Sequence, residues 1–259
     1  MLRNFGFTLI LILLFSACST SPTGRTQFIA VSDSQMGQMG GQAFQELKSK
    51  TPIENDPKIN QYVQCIAQAV AKKAKDRTGV KSWEVVVFRD PTANAFALPG
   101  GRIGVHTGIL KVANTADQLA AVLGHEVGHV IARHGSERVS QGMATQGGLV
   151  LADLLLDRNN SSRGVLLAGL GLGAQFGVLL PFSRKHESEA DEIGLQLSAQ
   201  AGFEPEAAVD LWRNMAKASG GKQPPELLST HPANQTRIQD LQALMPAAKK
   251  LYAKARANG

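Results

Sequence analysis

The sequence predicts a mainly α-helical α+β fold, in which one helical domain carries a small β-sheet. Three observations lead there. Apolar residues recur at helical spacing through "SQMGQMGGQAFQELKSK" and "DPKINQYVQCIAQAVAKKAK". Two short stretches, "SWEVVVFRD" and "NAFALPGGRIGVHTGIL", are rich in β-formers and bounded by turn residues. Helical periodicity then resumes near residue 116 and dominates the rest of the chain. With 259 residues, 43% of them apolar and 19% charged, the chain can bury a core without covalent staples.

The first seventeen residues, "MLRNFGFTLILILLFSA", hold one arginine and an apolar run from Phe5 to Phe15 that is too short to span a bilayer. Residues 1–17 therefore read as a secretory signal peptide. Ser16 and Ala17 precede Cys18, and the polar "CSTSPTGRT" follows. This arrangement resembles a bacterial lipobox, although Phe15 departs from the usual aliphatic residue. It implies lipidation at Cys18, with residues 18–30 as a lipidated tether; cleavage nearby without lipidation, or an uncleaved anchor, is the alternative. Ser19, in place of an aspartate after the cysteine, favours the outer membrane. Lipidation of Cys18 would leave Cys65 without an internal disulfide partner, so it is either buried as a small hydrophobe, the expected reading, or available for intermolecular pairing.

Residues 31–259 are expected to form one domain, since no repeat or boundary interrupts them. Two helices separated by "TPIEN" open it, followed by a strand in 82–90. A short strand, a Pro-Gly-Gly turn and a second short strand then lead into a helix. The helix Ala116 to His134 begins with Thr115 and Gln118 at capping-box spacing and Asp117 in the first turn. The apolar stretch 142–182, broken by "DRNNSSRG", is expected to be buried in protein. A hairpin that shields a cleft, touches unfolded clients or rests on a bilayer is the alternative. Helices over Arg184 to Ala201 and Pro205 to Ala218 follow, with a last one from about Pro232, a residue suited to a first helical turn. The net charge of +6 is scattered, without a basic stripe interleaved with aromatics, so nucleic acid is not an expected partner.

The chemistry is concentrated in "GHEVGHVIARH", residues 124–134. Residues four apart on a helix differ by only about 40° around its axis. His125 and His129 thus share a face and can share a metal, while Glu126 stands one step round, within reach of a water. This is the HExxH zinc pattern. The helix is apolar almost all round, so these imidazoles would be costly to bury without a ligand. His134 falls on the opposite side if the helix continues and is not expected to be a ligand. The HExxHxxGxxH class is excluded, because its glycine and last histidine positions hold Ala132 and Gly135.

A third ligand must come from elsewhere. In "FSRKHESEADEIGLQLSAQAG", Glu187, Ala190, Asp191, Gly194, Ser198 and Ala201 lie within about 60° of one direction. Glu189, Glu192 and Gln196 fall opposite and are expected to face water. Glu187 is the expected third ligand, with His186 at the edge of the same face as the runner-up. Asp191 is the expected carboxylate that orients a ligating histidine. Three protein ligands would leave a fourth position for water, the mark of a catalytic site. Zinc lowers the pKa of water to about 7, and Glu126 is the expected base. His231 in "STHP" is the candidate oxyanion donor, or else a fourth ligand that holds the site closed. Arg237 would hold the loop or a carboxylate. Asn94, Ala95, Phe96, Ala97 and Leu98 could form a strand edge to which an extended peptide adds; a purely structural hairpin is the other reading.

Together, "GHEVGHVIARH", "SRKHESEADEIG" and "LLSTHPANQTRI" resemble the zinc metallopeptidases of the CAAX-prenyl-protease and HtpX type, in particular their periplasmic lipoprotein branch. The resemblance covers nearly the whole chain after Cys18. It implies a zincin-like core with the sheet beside the HExxH helix, and one Zn2+ held by His125, His129 and the ExxxD glutamate, Glu187. It also places His231 beside the metal and gives the "NAFALPGG" segment to the substrate. Transmembrane helices and repeat domains of longer relatives are not expected here. The implied activity is endopeptidase cleavage of misfolded or stalled envelope proteins at the periplasmic face of the outer membrane. A partner protease or assembly machinery is possible, and a client-binding chaperone with rare or gated cleavage is the alternative.

Overall fold

A computed structural model describes residues 18–156, 182–218, 226–231 and 235–258. The expected signal peptide and residues 157–181 of the apolar stretch lie outside the described residues. Among the described residues no helix is long and apolar enough to cross a membrane.

The chain opens with an antiparallel hairpin, β1 (Cys18–Thr20) and β2 (Thr26–Phe28), in which Cys18 pairs with Phe28. The stretch expected as a tether is thus folded onto the domain. Gln27 is buried, and its amide donates to the Ala132 carbonyl at 2.6 Å and to Glu137 Oε2 at 3.1 Å.

Ser32 caps α1 (Asp33–Lys50) through a reciprocal box with Gln35. Asp56 caps α2 (Pro57–Thr78), which ends at Gly79 in a left-handed conformation, φ 67°. The inner face of α2 carries Val63, Ile66, Ala67, Val70, Ala71 and Ala74. Cys65 falls between these positions and is exposed, contrary to expectation.

The sheet has the order β3–β5–β4, with β3 (Glu84–Phe88) parallel to β5 (Arg102–His106) and β4 (Ala95–Leu98) antiparallel to it. Consequently β4 is an edge strand. Its alternation sends Ala95 and Ala97 to the main core, and Phe96 and Leu98 to a second cluster with Phe44 and Phe88. A 3-10 turn (Thr107–Lys111) leads on to α3 (Ala116–Ile131). The Thr115 hydroxyl accepts from Gln118 N as the spacing predicts, while the Gln118 side chain reaches one residue further back, to Asn114 N.

The remaining helices are α4 (His134–Leu156), α5 (Arg184–Gln200), α6 (Ala207–Ala218), α7 (Glu226–Thr230) and α8 (Gln235–Ala257). The central pair is α3 and α5, whose backbones touch along a seam without side chains. A Cβ on Gly194 would lie 2.5 Å from His125 N, and one on Gly124 2.6 Å from the Gly194 carbonyl oxygen. Gly128 meets the Ala190 carbonyl in the same way, at 2.8 Å. The small-residue face expected on α5 therefore sets the separation of the two helices that carry the candidate ligands. We expect Gly194→Ala to lower stability by about 1–3 kcal/mol through overpacking, and to lower bound metal with it. Denaturant melts and metal analysis check this; an unchanged midpoint would mean that the seam yields freely.

Candidate metal centre

Four buried side chains meet at one point, three of them from α3 and α5 and the fourth from the end of α7. The ligand atoms of His125, His129, Glu187 and His231 all lie within 4.8 Å of one another. His125 Nε2 is 3.0 Å from His129 Nε2 and 3.4 Å from Glu187 Oε2, and His129 Nε2 is 3.5 Å from Glu187 Oε1. His231 enters from the end of α7, its backbone N–H held by the Leu227 carbonyl at 2.8 Å, and sets Nδ1 3.0 Å from Glu187 Oε1.

The surrounding hydrogen bonds show whether this group suits a metal. Asp191 Oδ1 lies 2.9 Å from His125 Nδ1. A carboxylate only accepts, so the proton sits on Nδ1 and the lone pair of His125 Nε2 faces the centre. Arg237 donates to both oxygens of Asp191, at 2.7 and 2.6 Å, and pairs with Glu187 Oε2 at 2.7 Å. Its guanidinium stacks on Trp212, 3.7 Å from the ring centroid, which fixes the fork. Glu126 Oε1 is buried without a hydrogen-bond partner among the described residues, 3.5 Å from His231 Nε2. Imidazole lone pairs and a carboxylate converging on one point, beside a carboxylate oxygen left to accept, are the donor set of a metal site with room for a water proton.

The electrostatics agree. Burial opposes protonation of His125, but Asp191 and Glu187 overcome it and raise its pKa to about 9. The surrounding carboxylates favour positive charge at this point, where a proton and a metal ion would compete. Burial would raise Glu187, yet hydrogen bonds from His125 and His231 hold it well below the usual carboxylate range. For Glu126 burial wins, lifting the carboxyl above its ordinary value against the pull of His231 and His125. That direction suits a base that must exchange a proton near neutral pH.

The sequence profile of Peptidase family M48 matches residues 57–245, from the start of α2 far into α8. The chain belongs to peptidase family M48. It is 45% identical over 169 residues to Mitochondrial metalloendopeptidase OMA1 of Schizosaccharomyces pombe, covering 64% of this chain and 48% of that relative. Against Mitochondrial metalloendopeptidase OMA1 of Saccharomyces cerevisiae it is 32% identical over 270 residues, covering 93% of this chain and 75% of the relative. Against Beta-barrel assembly-enhancing protease of Escherichia coli it is 29% identical over 232 residues, covering 87% and 47%. The chain thus spans about half the length of the first and third of these relatives and three quarters of the second. M48 metallopeptidases use zinc, and the buried group can hold one such ion.

In this M48 chain the α3 helix stops earlier than its sequence pattern predicts. Arg133 adopts φ 57°, its side chain paired with Asp33 at 2.7 Å, and the chain turns. His134, expected on the far side of a continuous helix, instead folds back so that its Nδ1 lies 2.9 Å from His129 Nδ1. It lies outside the group of His125, His129, Glu187 and His231 but touches one of its members. His186, the runner-up ligand, also lies outside that group; its Nε2 donates to Glu137 at 3.1 Å, and it stacks on His134. Glu189 does not face water. It is 5% exposed, because the β1–β2 hairpin covers that side of α5, and Thr23, Arg25 and His134 all bond to it. None of these contacts was legible, since each depends on the helix break or on where the hairpin docks.

Of the expected substrate strand, Ala97 and Leu98 line a cavity of about 480 Å³ that reaches His129, together with Met36, Met39 and Val139. Asn94, Ala95 and Phe96 are not part of its wall. Ala95 is buried in the core and Phe96 packs between Phe44 and Phe88. These positions can offer backbone, not side chains, along the strand edge.

Proposed function

We propose that this chain is a zinc-dependent endopeptidase that hydrolyses peptide bonds of misfolded or stalled envelope proteins, tethered through lipidated Cys18 at the periplasmic face of the outer membrane. The observation that carries the catalytic part is the buried Glu126 Oε1, without a hydrogen bond among the described residues and 3.5 Å from His231 Nε2, beside the convergence of His125, His129 and Glu187. Zinc at that point would polarise the peptide carbonyl and make water acidic. Glu126 takes the proton from the attacking water and returns it to the leaving amine. His231, 3.5 Å from Glu126, donates to the oxygen on which charge develops. Asp191 and Arg237 hold His125 and Glu187 in place. The edge of β4 receives the peptide in extended form, with Ala97 and Leu98 nearest the metal centre.

The envelope location rests on residues 1–18, and the quality-control role is supported by similarity to the bacterial assembly-enhancing protease. The motifs favour the CAAX-prenyl-protease and HtpX type, in its lipoprotein branch. Its partners are unfolded envelope proteins, the lipid surface under the anchor and an associated protease or assembly machinery, with no nucleic acid among them. A second reading, a client-binding chaperone with gated cleavage, is favoured by His231 lying within ligand distance of the centre, where it can hold the fourth position.

The two readings separate in one experiment. Purified soluble chain beginning at Ser19 is loaded with zinc and incubated with unfolded casein. Cleavage at about one zinc per chain supports the peptidase. Zinc at that ratio without cleavage, with casein held in solution, supports the gated chaperone.

A further inference from the structure

On the reading that the cluster holds zinc, we propose that His134 and Glu189, clamped by Arg25 of the N-terminal hairpin, are positioning residues that fix the ring orientation and tautomer of the ligand His129. The chain of contacts runs outward from the metal centre. His129 Nδ1 is 2.9 Å from His134 Nδ1, and His134 Nε2 is 3.1 Å from Glu189 Oε2. Arg25 Nε donates to the same Glu189 oxygen at 3.0 Å, and the Thr23 hydroxyl donates to the other at 2.7 Å.

The direction of each bond follows from the outer end. Paired with Arg25, Glu189 is an ionised acceptor, so the proton of His134 lies on Nε2. On the zinc reading His129 offers Nε2 to the metal and carries its proton on Nδ1, so His134 Nδ1 is the acceptor of the 2.9 Å contact. That His134 Nδ1 is then a bare lone pair that can only accept. His129 must supply the proton from its own Nδ1, and that leaves His129 Nε2 bare and aimed at the centre, 3.0 Å from His125 Nε2. The opposite tautomer would put an N–H where a metal has to bind. Asp191 does the same for His125 in one step, because its carboxylate touches the ring directly. At His129 the Nδ1 contact is to His134 rather than to a carboxylate, and His134 relays the polarity of Glu189.

The outer end is built, not incidental. Arg25 also forks onto Glu137, at 2.9 and 2.7 Å, and Glu137 in turn accepts from His186, whose ring stacks on His134 at 4.3 Å. Among the described residues, those that bond to Glu189 besides His134, Thr23 and Arg25, come from the hairpin that begins at Cys18. The segment nearest the expected lipid anchor is thus part of the support of the metal centre.

The test compares full chains carrying His134→Phe, His134→Gln, Glu189→Leu and Arg25→Ala with the unaltered protein. Zinc affinity is read by chelator competition and folding by circular dichroism, while the imidazole tautomer of His129 is read by long-range proton–nitrogen correlation NMR. His134→Phe keeps the stack but removes the acceptor, and we expect a 10–100-fold loss of zinc affinity with the helical signal intact. His134→Gln, which can still accept, should recover part of it, and Arg25→Ala should lose less than His134→Phe. Should His134→Phe fail to fold, Glu189→Leu carries the test, since it removes the acceptor that His134 Nε2 and Arg25 Nε share. Zinc affinity within twofold of the unaltered protein in a folded His134→Phe or Glu189→Leu chain would overturn the proposal. If the unaltered chain binds no zinc, the peptidase reading fails instead. The NMR tautomer then decides the relay alone: a proton on His129 Nδ1 supports it, and one on Nε2 overturns it.

Discussion

Glu126→Gln is expected to slow casein cleavage by about 10²–10⁴-fold, the usual contribution of a positioned general base, while zinc per chain stays unchanged. The amide fills the same space but cannot take a proton, and Glu126 is not a member of the group that would hold the metal. Substrate binding should survive as well, so the loss belongs in kcat rather than KM. The direction of the carboxyl's own shift strengthens the expectation: burial has already raised it toward the range in which it can both accept and release a proton. Single-turnover cleavage beside metal analysis checks both halves. A variant that keeps zinc and cuts at the original rate would remove Glu126 from the reaction and leave His231 as the nearest group able to replace it.

The second large effect is expected for Glu187→Ala, which should abolish stoichiometric zinc and unsettle the fold together. Glu187 lies within 3.5 Å of His125, His129 and His231, and 2.7 Å from the buried Arg237. Its removal takes a negative ligand from the centre and leaves Arg237 with Asp191 as its remaining carboxylate in this cluster. Breaking a buried pair in this way costs about 3–5 kcal/mol. Glu187→Gln, which keeps the volume, should hold the fold better while still binding zinc weakly. Thermal melts with and without added zinc separate the two effects, because a ligand that binds only the folded chain raises its melting point. Zinc should stabilise the unaltered protein and leave Glu187→Ala unmoved. Equal stabilisation of both would move the third ligand to His231.

Much of the fold and of the metal group can be read along the chain, and the reason is local. Thr115, the apolar periodicity behind it and the four-residue spacing of His125 and His129 all belong to one helix, whose geometry is fixed by the backbone. Glu187 and Asp191 are separable from Glu192 for the same reason: the small residues around them mark the face that must approach another helix, and Gly124, Gly128 and Gly194 meet there. Helical periodicity identifies a face, however, and not what covers the other side. Glu189 was expected in water because nothing in the α5 pattern announces that the β1–β2 hairpin lies across it. Cys65 was expected inside on composition alone, whereas the register of α2 places it outside.

The sequence by itself indicated most of the helices, the three strands of the main sheet, the HExxH spacing and the small-residue face that carries Glu187 and Asp191, since each rests on spacing within a single element. Tertiary structure decided the rest. The left-handed turn at Arg133 returns His134 to His129, and α7 delivers His231 to within hydrogen-bond distance of Glu187. The hairpin brings Arg25 to two carboxylates more than a hundred residues away. Contacts of that kind depend on how elements pack against one another, and a buried polar group finds its partner wherever packing places one rather than at a fixed offset along the chain.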